Sequence, residues 1–133
     1  SDSNIPFDPS IVVADQGPFL ENFYIKYVKK LLDDNNITAV FAGHDRIAYL
    51  VYTVARQSGL RIPEDISLVG YDDLPSSSSH PVRLTTMHQP IYEMGKQSMK
   101  LIMSRINGDV SEPQKVILKS YLVERFSVRT IHN

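Results

Sequence analysis

The sequence contains no cysteine among its 133 residues. This absence excludes a disulfide scaffold, a thiolate zinc site and a cysteine nucleophile, and it is compatible with a reducing compartment. No apolar run approaches the roughly 20 residues that a membrane-spanning helix needs. The N-terminal segment also has neither the charged start nor the apolar stretch of a secretory signal. We therefore expect a cytoplasmic protein that does not contact a membrane.

Clusters of basic residues are also missing, and the formal net charge is −1. Because nucleic-acid contact surfaces usually carry a basic patch, we expect no direct DNA binding by this chain. The sequence has no phosphate-binding P-loop and no Gly-x-Ser-x-Gly motif, so it gives no support for catalysis or for a cofactor. A content of 42% hydrophobic and 22% charged residues is ordinary for one folded unit.

The segment 37–73 has the pattern of two strands joined by an amphipathic helix. Residues 39–42 and 66–69 are near-continuous apolar runs, as in parallel strands whose two sheet faces are covered by helices. Gly59 stands where a helix favours a left-handed residue. This alternation predicts an α/β fold. The apolar residues between the strands recur at the spacing of one helical face: Ile47, Leu50, Val51, Val54 and Ala55.

Polar residues follow both predicted strands, His44 and Asp45 after the first and Asp72 and Asp73 after the second. In open parallel sheets, ligands bind beyond the carboxyl ends of the strands. The Asp72 carboxylate can accept two hydrogen bonds from the hydroxyls of a sugar or nucleoside, although an aspartate here can also simply turn the chain. Asp45 is interpreted as the N-cap of a helix that starts at Arg46.

The N-terminal part of the sequence predicts a short strand over residues 11–13 and a helix over residues 19–32. Aromatic and aliphatic residues at four-residue steps in this helix are expected to lie in the core: Phe23, Tyr27 and Leu31.

The C-terminal part predicts a flexible loop over residues 74–83, because two prolines and a serine run interrupt any strand there. A strand over 84–88 follows, and Pro90 is suited to the first turn of a helix. Residues 116–118 and 121–126 are rich in β-forming residues and indicate a bent strand or two strands. The buried face of the predicted helix would contain Ile91, Met94, Leu101 and Ile102.

Three phrases carry a resemblance to a known family. GLRIPEDISLVGYDD at 59–73, followed by LTTMHQP at 84–90 and VERFSVR at 123–129, resembles the effector-sensing domain of LacI/GalR-family bacterial transcription repressors. The resemblance extends from about Pro6 to Arg129. Similar modules also occur behind winged-helix heads of the GntR type, and the phrases leave both origins open.

The resemblance implies a type I periplasmic-binding-protein-like fold, in which two lobes with parallel, Rossmann-like sheets clasp a small ligand. It further implies that this chain is a truncated version of that fold. Residues 1–83 and 119–133 would belong to one lobe, and residues 84–118 would supply a crossing segment and a helix of the other.

The resemblance also implies a ligand site. Asp72 matches the family's ligand-contacting aspartate, and Gln89 matches the glutamine of the crossing segment. His44 stands where family members often carry an asparagine that touches the ligand. Ile91 and Phe19 stand at or near positions where relatives place aromatic rings on the ligand, so stacking is expected to be weaker here.

The expected function is the ligand-sensing and dimerising part of a repressor that responds to a sugar or related metabolite, with DNA bound only through a head domain outside this chain. One alternative is the periplasmic sugar-binding protein of an ABC transporter, which shares the fold. Another is a metal-dependent phosphohydrolase built on His44, Asp45, Asp72 and Asp73. The remaining histidines lie at no ligand spacing to these residues, so no metal site is expected.

Overall fold

The structure, a computed structural model, describes residues 8–14, 21–33 and 37–130. These residues form four α-helices and one four-stranded sheet. None of the helices in these ranges is long and apolar enough to cross a membrane. In chain order the elements are α1 (Glu21–Leu32), β1 (Ala39–Phe41), α2 (Asp45–Gln57), β2 (Ser67–Asp72), α3 (Ser76–Ser79), β3 (Thr85–His88), α4 (Ile91–Ile106) and β4 (Tyr121–Val123).

The sheet has the order β1-β2-β3-β4. Strands β1, β2 and β3 are parallel neighbours, and β4 is antiparallel to β3. The parallel pairing of β1 with β2 through α2 confirms the predicted β-α-β unit and the α/β class. However, Phe41 of β1 is 66% exposed, so the expectation that helices cover both sheet faces is wrong at this edge strand.

Helix α2 packs its predicted apolar face on the sheet. Leu50, Val51, Val54 and Ala55 are buried together with Ala48, whereas Ile47 is only partly buried. The helix is followed by Gly59 with a φ of +78°, which confirms the left-handed residue at this point. On the sheet side, Leu68 and Leu84 are fully buried and complete the centre of the core.

The expected core stripe of α1 is wrong. Tyr27 is 40% exposed, and the buried residues are Val28 and Leu32, one position further along the chain. Residues four apart lie on one face of a helix, so this shift of one residue rotates the packed face by about 100°. The predicted start of the helix at Phe19 lies outside the described residues.

The predicted strand over residues 11–13 is also absent from the described N-terminal segment. Pro9–Ile11 instead form a 3₁₀ turn, which Asp8 caps by accepting a hydrogen bond of 2.8 Å from the Ser10 backbone N–H. Pro9 begins the turn because its fixed φ suits the first helical position.

The segment 74–83, predicted to be a flexible loop, contains the short helix α3. Ser78 and Ser79 donate their hydroxyls to the carbonyls of Pro75 and Ser76, at 3.0 and 3.3 Å. Ser77 is fully buried, so the serine run is anchored to the core. Side-chain hydrogen bonds of serine to nearby backbone stabilise such turns.

No residue of α4 is buried, contrary to the predicted face. Ile91 is 57% exposed and Ile102 is 52% exposed, because no second layer of the described chain covers this side of the helix. The predicted β segment at 116–118 forms no strand, and of the segment 121–126 only Tyr121–Val123 pairs with β3.

Candidate functional site

The carboxyl ends of β2 and β3 lie side by side and bring two predicted site residues into contact. Asp72 is the last residue of β2 and is paired in register with His88, the last residue of β3. Gln89 follows directly, and its Nε2 donates a hydrogen bond of 2.6 Å to Asp72 Oδ1. A carboxylate has about four acceptor positions, so this bond leaves capacity for ligand hydroxyls.

The backbone at this point has an uncommon conformation. Asp72 has a φ of +114° and Asp73 a φ of +55°. Positive φ values are uncommon for residues other than glycine and cost about 1–3 kcal/mol outside the well-populated left-handed region. Strain of this kind concentrates at functional sites, where the surrounding structure holds it in place.

His44 lies three residues beyond β1, at the same edge of the sheet as Asp72, and is half-buried. Its extended backbone stands at the N-cap position of α2, where its carbonyl accepts hydrogen bonds from the backbone N–H groups of Ile47 at 3.0 Å and Ala48 at 3.2 Å. The N-cap is therefore His44, and the assignment of that position to Asp45 was wrong.

Asp45 has a different position, in the first turn of α2 and fully buried. Its Oδ1 accepts a hydrogen bond of 2.7 Å from the Thr86 hydroxyl. Its Oδ2 accepts one of 2.9 Å from the Leu74 backbone N–H and a second from the Ser77 hydroxyl. A buried carboxylate requires such donors, and this one thereby joins α2, β3 and the segment after β2.

The close approach of Asp45 to the sheet depends on Gly70 of β2. A Cβ atom at this position would lie 2.2 Å from Asp45 Oδ1 and 2.7 Å from Leu84 Cδ2. Only a residue without a side chain leaves room for the buried carboxylate.

Asp73 has other partners than Asp72 and forms a second network. His88 Nδ1 lies 2.9 Å from Asp73 Oδ2, and Arg125 Nη2 donates a bond of 2.6 Å to Asp73 Oδ1. Burial on its own raises the pKa of Asp73, but the hydrogen bonds and charges of Arg125 and His88 outweigh it, so the pKa is lowered. The carboxylate is thus held ionised beside the rim.

Sequence reasoning did not identify the roles of His88 and Arg125. His88 is one of the histidines that lie at no ligand spacing to the candidate residues, and Arg125 is part of the phrase VERFSVR. A signal for His88 was available in the sequence, because a parallel pairing of residues 66–73 with residues 84–88 would place this histidine beside the aspartate pair.

The four residues of the phosphohydrolase alternative do not converge. Asp45 and Asp73 each accept hydrogen bonds from protein donors on both carboxylate oxygens. Within the described residues, no group of three or more histidine or acidic side chains is placed to hold a metal ion. The geometry therefore does not favour this alternative.

A cleft of about 480 Å³ adjoins Gln89. Its walls come from the end of β2, from α4 and from the segment before β4, and they include Tyr71, Met94, Gln97 and Leu118. Ile91 does not line this cleft; it is an exposed aliphatic residue on another surface of α4, together with Tyr92 and Met99. Phe19, the second candidate for an aromatic contact, lies outside the described residues.

An α/β sheet with parallel strands, a covering helix and a polar rim at the carboxyl ends is the architecture of an open α/β lobe with a ligand site at that rim. The sequence profile of the periplasmic binding protein-like domain family matches residues 5–128. The chain belongs to this family, and its resemblance is to the effector-binding domain of LacI-family regulators.

Known proteins support this assignment. The chain is 32% identical over 126 residues to the HTH-type transcriptional regulator CelR of Thermobifida fusca, covering 94% of this chain and 36% of CelR. It is 34% identical over 131 residues to the HTH-type transcriptional repressor PurR of Aliivibrio fischeri, covering 96% of this chain and 38% of PurR. The chain therefore spans little more than a third of the length of these relatives.

Solved structures show the same fold. A complex of the transcriptional regulator CelR with cellobiose superposes with a TM-score of 0.83 at 32% identity, covering 94% of this chain and 38% of that one. A LacI-family regulator from Enterococcus faecium with bound ribose superposes with a TM-score of 0.76 at 34% identity, covering 83% of this chain and 41% of that one.

Proposed function

We propose that this chain is the effector-sensing part of a transcription repressor that responds to a sugar or related small metabolite. The observation that carries the proposal is the Asp72–Gln89 hydrogen bond of 2.6 Å at the carboxyl edge of the sheet. This bond orients a carboxylate acceptor on a strained backbone, an arrangement that fits recognition of hydroxyl donors.

The ligand contacts in this proposal are Asp72, His44 and Gln89. Cellobiose and ribose, bound by two of the similar regulators, present several hydroxyl groups. Asp72 would accept from these hydroxyls, and Gln89 has both a donor and an acceptor. A neutral His44 supplies one donor and one acceptor, so its tautomer would contribute to the choice of ligand.

The partners belong to the same proposal. The repressor would act as a homodimer, with DNA bound by a head domain, and would function in the cytoplasm without catalysing a reaction. Residues 1–83 and 119–133 would form one lobe, and residues 84–118 would cross from β3 in the sheet of that lobe into the other lobe. The unburied α4 supports this division, because its exposed apolar side is suited to a second lobe. The transporter alternative is not favoured, because the similar proteins are regulators.

The mechanism in this proposal is a population shift. A ligand held between two lobes favours one angle between them, and a dimer can transmit that angle to DNA-binding heads. The ligand must bind one arrangement more tightly than the other, since equal affinity would shift nothing.

The proposal can be tested by titrating the ¹⁵N-labelled chain with cellobiose and with ribose. We expect saturable NMR shifts at Asp72, His44 and Gln89 for at least one sugar, and loss of these shifts in Asp72→Asn. Asp65→Asn is the matched control, because Asp65 is a carboxylate paired with Arg61 away from the rim. Recognition of cellobiose or ribose at this rim is contradicted if neither sugar shifts these residues. The ligand contact of Asp72 is contradicted if both variants respond alike.

A further inference from the structure

A chain of polar contacts leads from the rim to the outer face of α2. It begins at Asp45, whose Oδ2 accepts from the Ser77 hydroxyl. The Ser77 Oγ lies 2.8 Å from the Tyr49 hydroxyl, which also lies 3.1 Å from Ser76 Oγ. The Tyr49 ring stacks on His80, with centroids 4.4 Å apart. Tyr49 is half-buried, so the outer end of this series of polar contacts is accessible to other molecules.

At the inner end of these contacts, the Asp45 carboxylate accepts hydrogen bonds from two groups next to the strained segment. The Leu74 backbone N–H, directly after Asp72 and Asp73, donates to Asp45. Thr86 also donates to Asp45, and its hydroxyl oxygen lies 3.4 Å from the Asp73 backbone N–H. Asp45 therefore accepts from the backbone N–H that follows the two positive-φ residues and from the hydroxyl that contacts one of them, although it lies behind the rim and not on it.

The absence of free space makes these contacts stiff. Asp45, Ser77 and Thr86 are fully buried, and Gly70 leaves no room for even one additional carbon. In a close-packed interior, a shift of one group must be accommodated by its neighbours. A movement of α3 against α2 would thus reach the Leu74 N–H through Ser77 and Asp45.

We propose that Asp45 is a positioning residue of the rim, and that its Ser77–Tyr49 arm transmits changes at the outer face of α2 to the Asp72–Gln89 pair. The role of the Asp72–Gln89 pair in ligand binding rests on the proposed function. The inference about rim geometry does not, and it can be tested without ligand.

The first test is Tyr49→Phe, which removes one oxygen and leaves the stacked ring. Tyr52→Phe is the matched control, because the Tyr52 ring also contacts His80 while no hydrogen bond of its hydroxyl enters the network. We expect the Leu74 amide to exchange about fivefold faster in Tyr49→Phe, the change that corresponds to one hydrogen bond of about 1 kcal/mol. The side-chain amide signal of Gln89 should also shift.

The second test is Asp45→Asn, with Asp65→Asn as control. We expect a larger acceleration at Leu74 and a larger Gln89 shift, with the buried amides of α2 still protected. If Asp45→Asn does not fold, Tyr49→Phe decides. The proposal is overturned if Leu74 and Gln89 are unchanged in Tyr49→Phe, or if Tyr52→Phe changes them equally. If Leu74 and Gln89 change in Tyr49→Phe while neither cellobiose nor ribose binds, the positioning role of Asp45 stands and recognition of these two sugars at the rim is refuted.

Discussion

The positive φ of Asp72 predicts an inverted order of stability for two small substitutions. At an ordinary position, alanine is more stabilising than glycine by about 0.4–1 kcal/mol, because glycine has more freedom in the unfolded chain. At a φ of +114°, the Cβ atom itself is unfavourable. We therefore expect Asp72→Gly to be more stable than Asp72→Ala.

The magnitude follows from two contributions. Both variants lose the hydrogen bond from Gln89, worth about 1.5–3 kcal/mol for a charged acceptor and less at this half-exposed site. Only glycine recovers the backbone strain, about 1–3 kcal/mol, from which its greater unfolded-state entropy of about 0.5–1 kcal/mol is subtracted. The free energy of unfolding of the glycine variant should therefore exceed that of the alanine variant by about 1 kcal/mol.

Urea denaturation of the wild type and both variants measures this difference directly, provided that the m-values agree. For a sugar whose binding shifts the NMR signals of the rim residues, loss of the carboxylate should lower the affinity about tenfold or more in both variants. Each step of about 1.4 kcal/mol corresponds to a factor of ten in affinity. If the alanine variant is the more stable one, the strained conformation at Asp72 is wrong, and the argument for a preorganised rim is wrong with it.

Three further predictions concern the core, pH and association. Gly70→Ala should destabilise the fold by about 1–3 kcal/mol or more, because the added methyl group overpacks against Asp45. Gly43→Ala is the control, because a Cβ atom there meets nothing within 4 Å. Equal denaturation midpoints of the two variants would contradict the clash. The lowered pKa of Asp73 contributes stability that is present above the unfolded pKa of about 3.9 and is lost as the pH falls through the folded pKa. In Asp73→Asn, the free energy of unfolding should therefore decrease less steeply in acid than in the wild type. Parallel curves for the two proteins would contradict this contribution of Asp73. The exposed apolar side of α4 should make the chain self-associate, and light scattering that gives a mass near 15.1 kDa at all micromolar concentrations would contradict it.

Local sequence patterns were sufficient to predict the central β-α-β unit of the fold. The apolar runs at 39–42 and 66–69 and the helical face between them predicted β1, α2 and β2, because strand and helix periodicities differ and each element buries its apolar side. The same reasoning failed for α4. Its apolar face is present in the sequence, but burial requires a covering layer, and the described chain supplies none.

The rim was predicted in part. Asp72 and Gln89 were both candidates from the resemblance, and the structure shows a hydrogen bond between them. Their ligand contact stays a prediction. Asp45 was interpreted as a cap because aspartate before a helix usually has that role. Its burial could not be inferred locally, since it depends on donors from Leu74, Ser77 and Thr86, 29 to 41 residues away.

By itself, the amino-acid sequence determined the α/β class, the order of the central elements, the family resemblance and the edge of the sheet where polar residues gather. These properties follow from periodicity and from residues close together in the chain. Only the tertiary structure decided that Asp72 is held at a positive φ, that Asp73 pairs with His88 and Arg125, and that Asp45 faces the core. Each of these depends on strand register and on close packing between distant segments, which no local pattern contains.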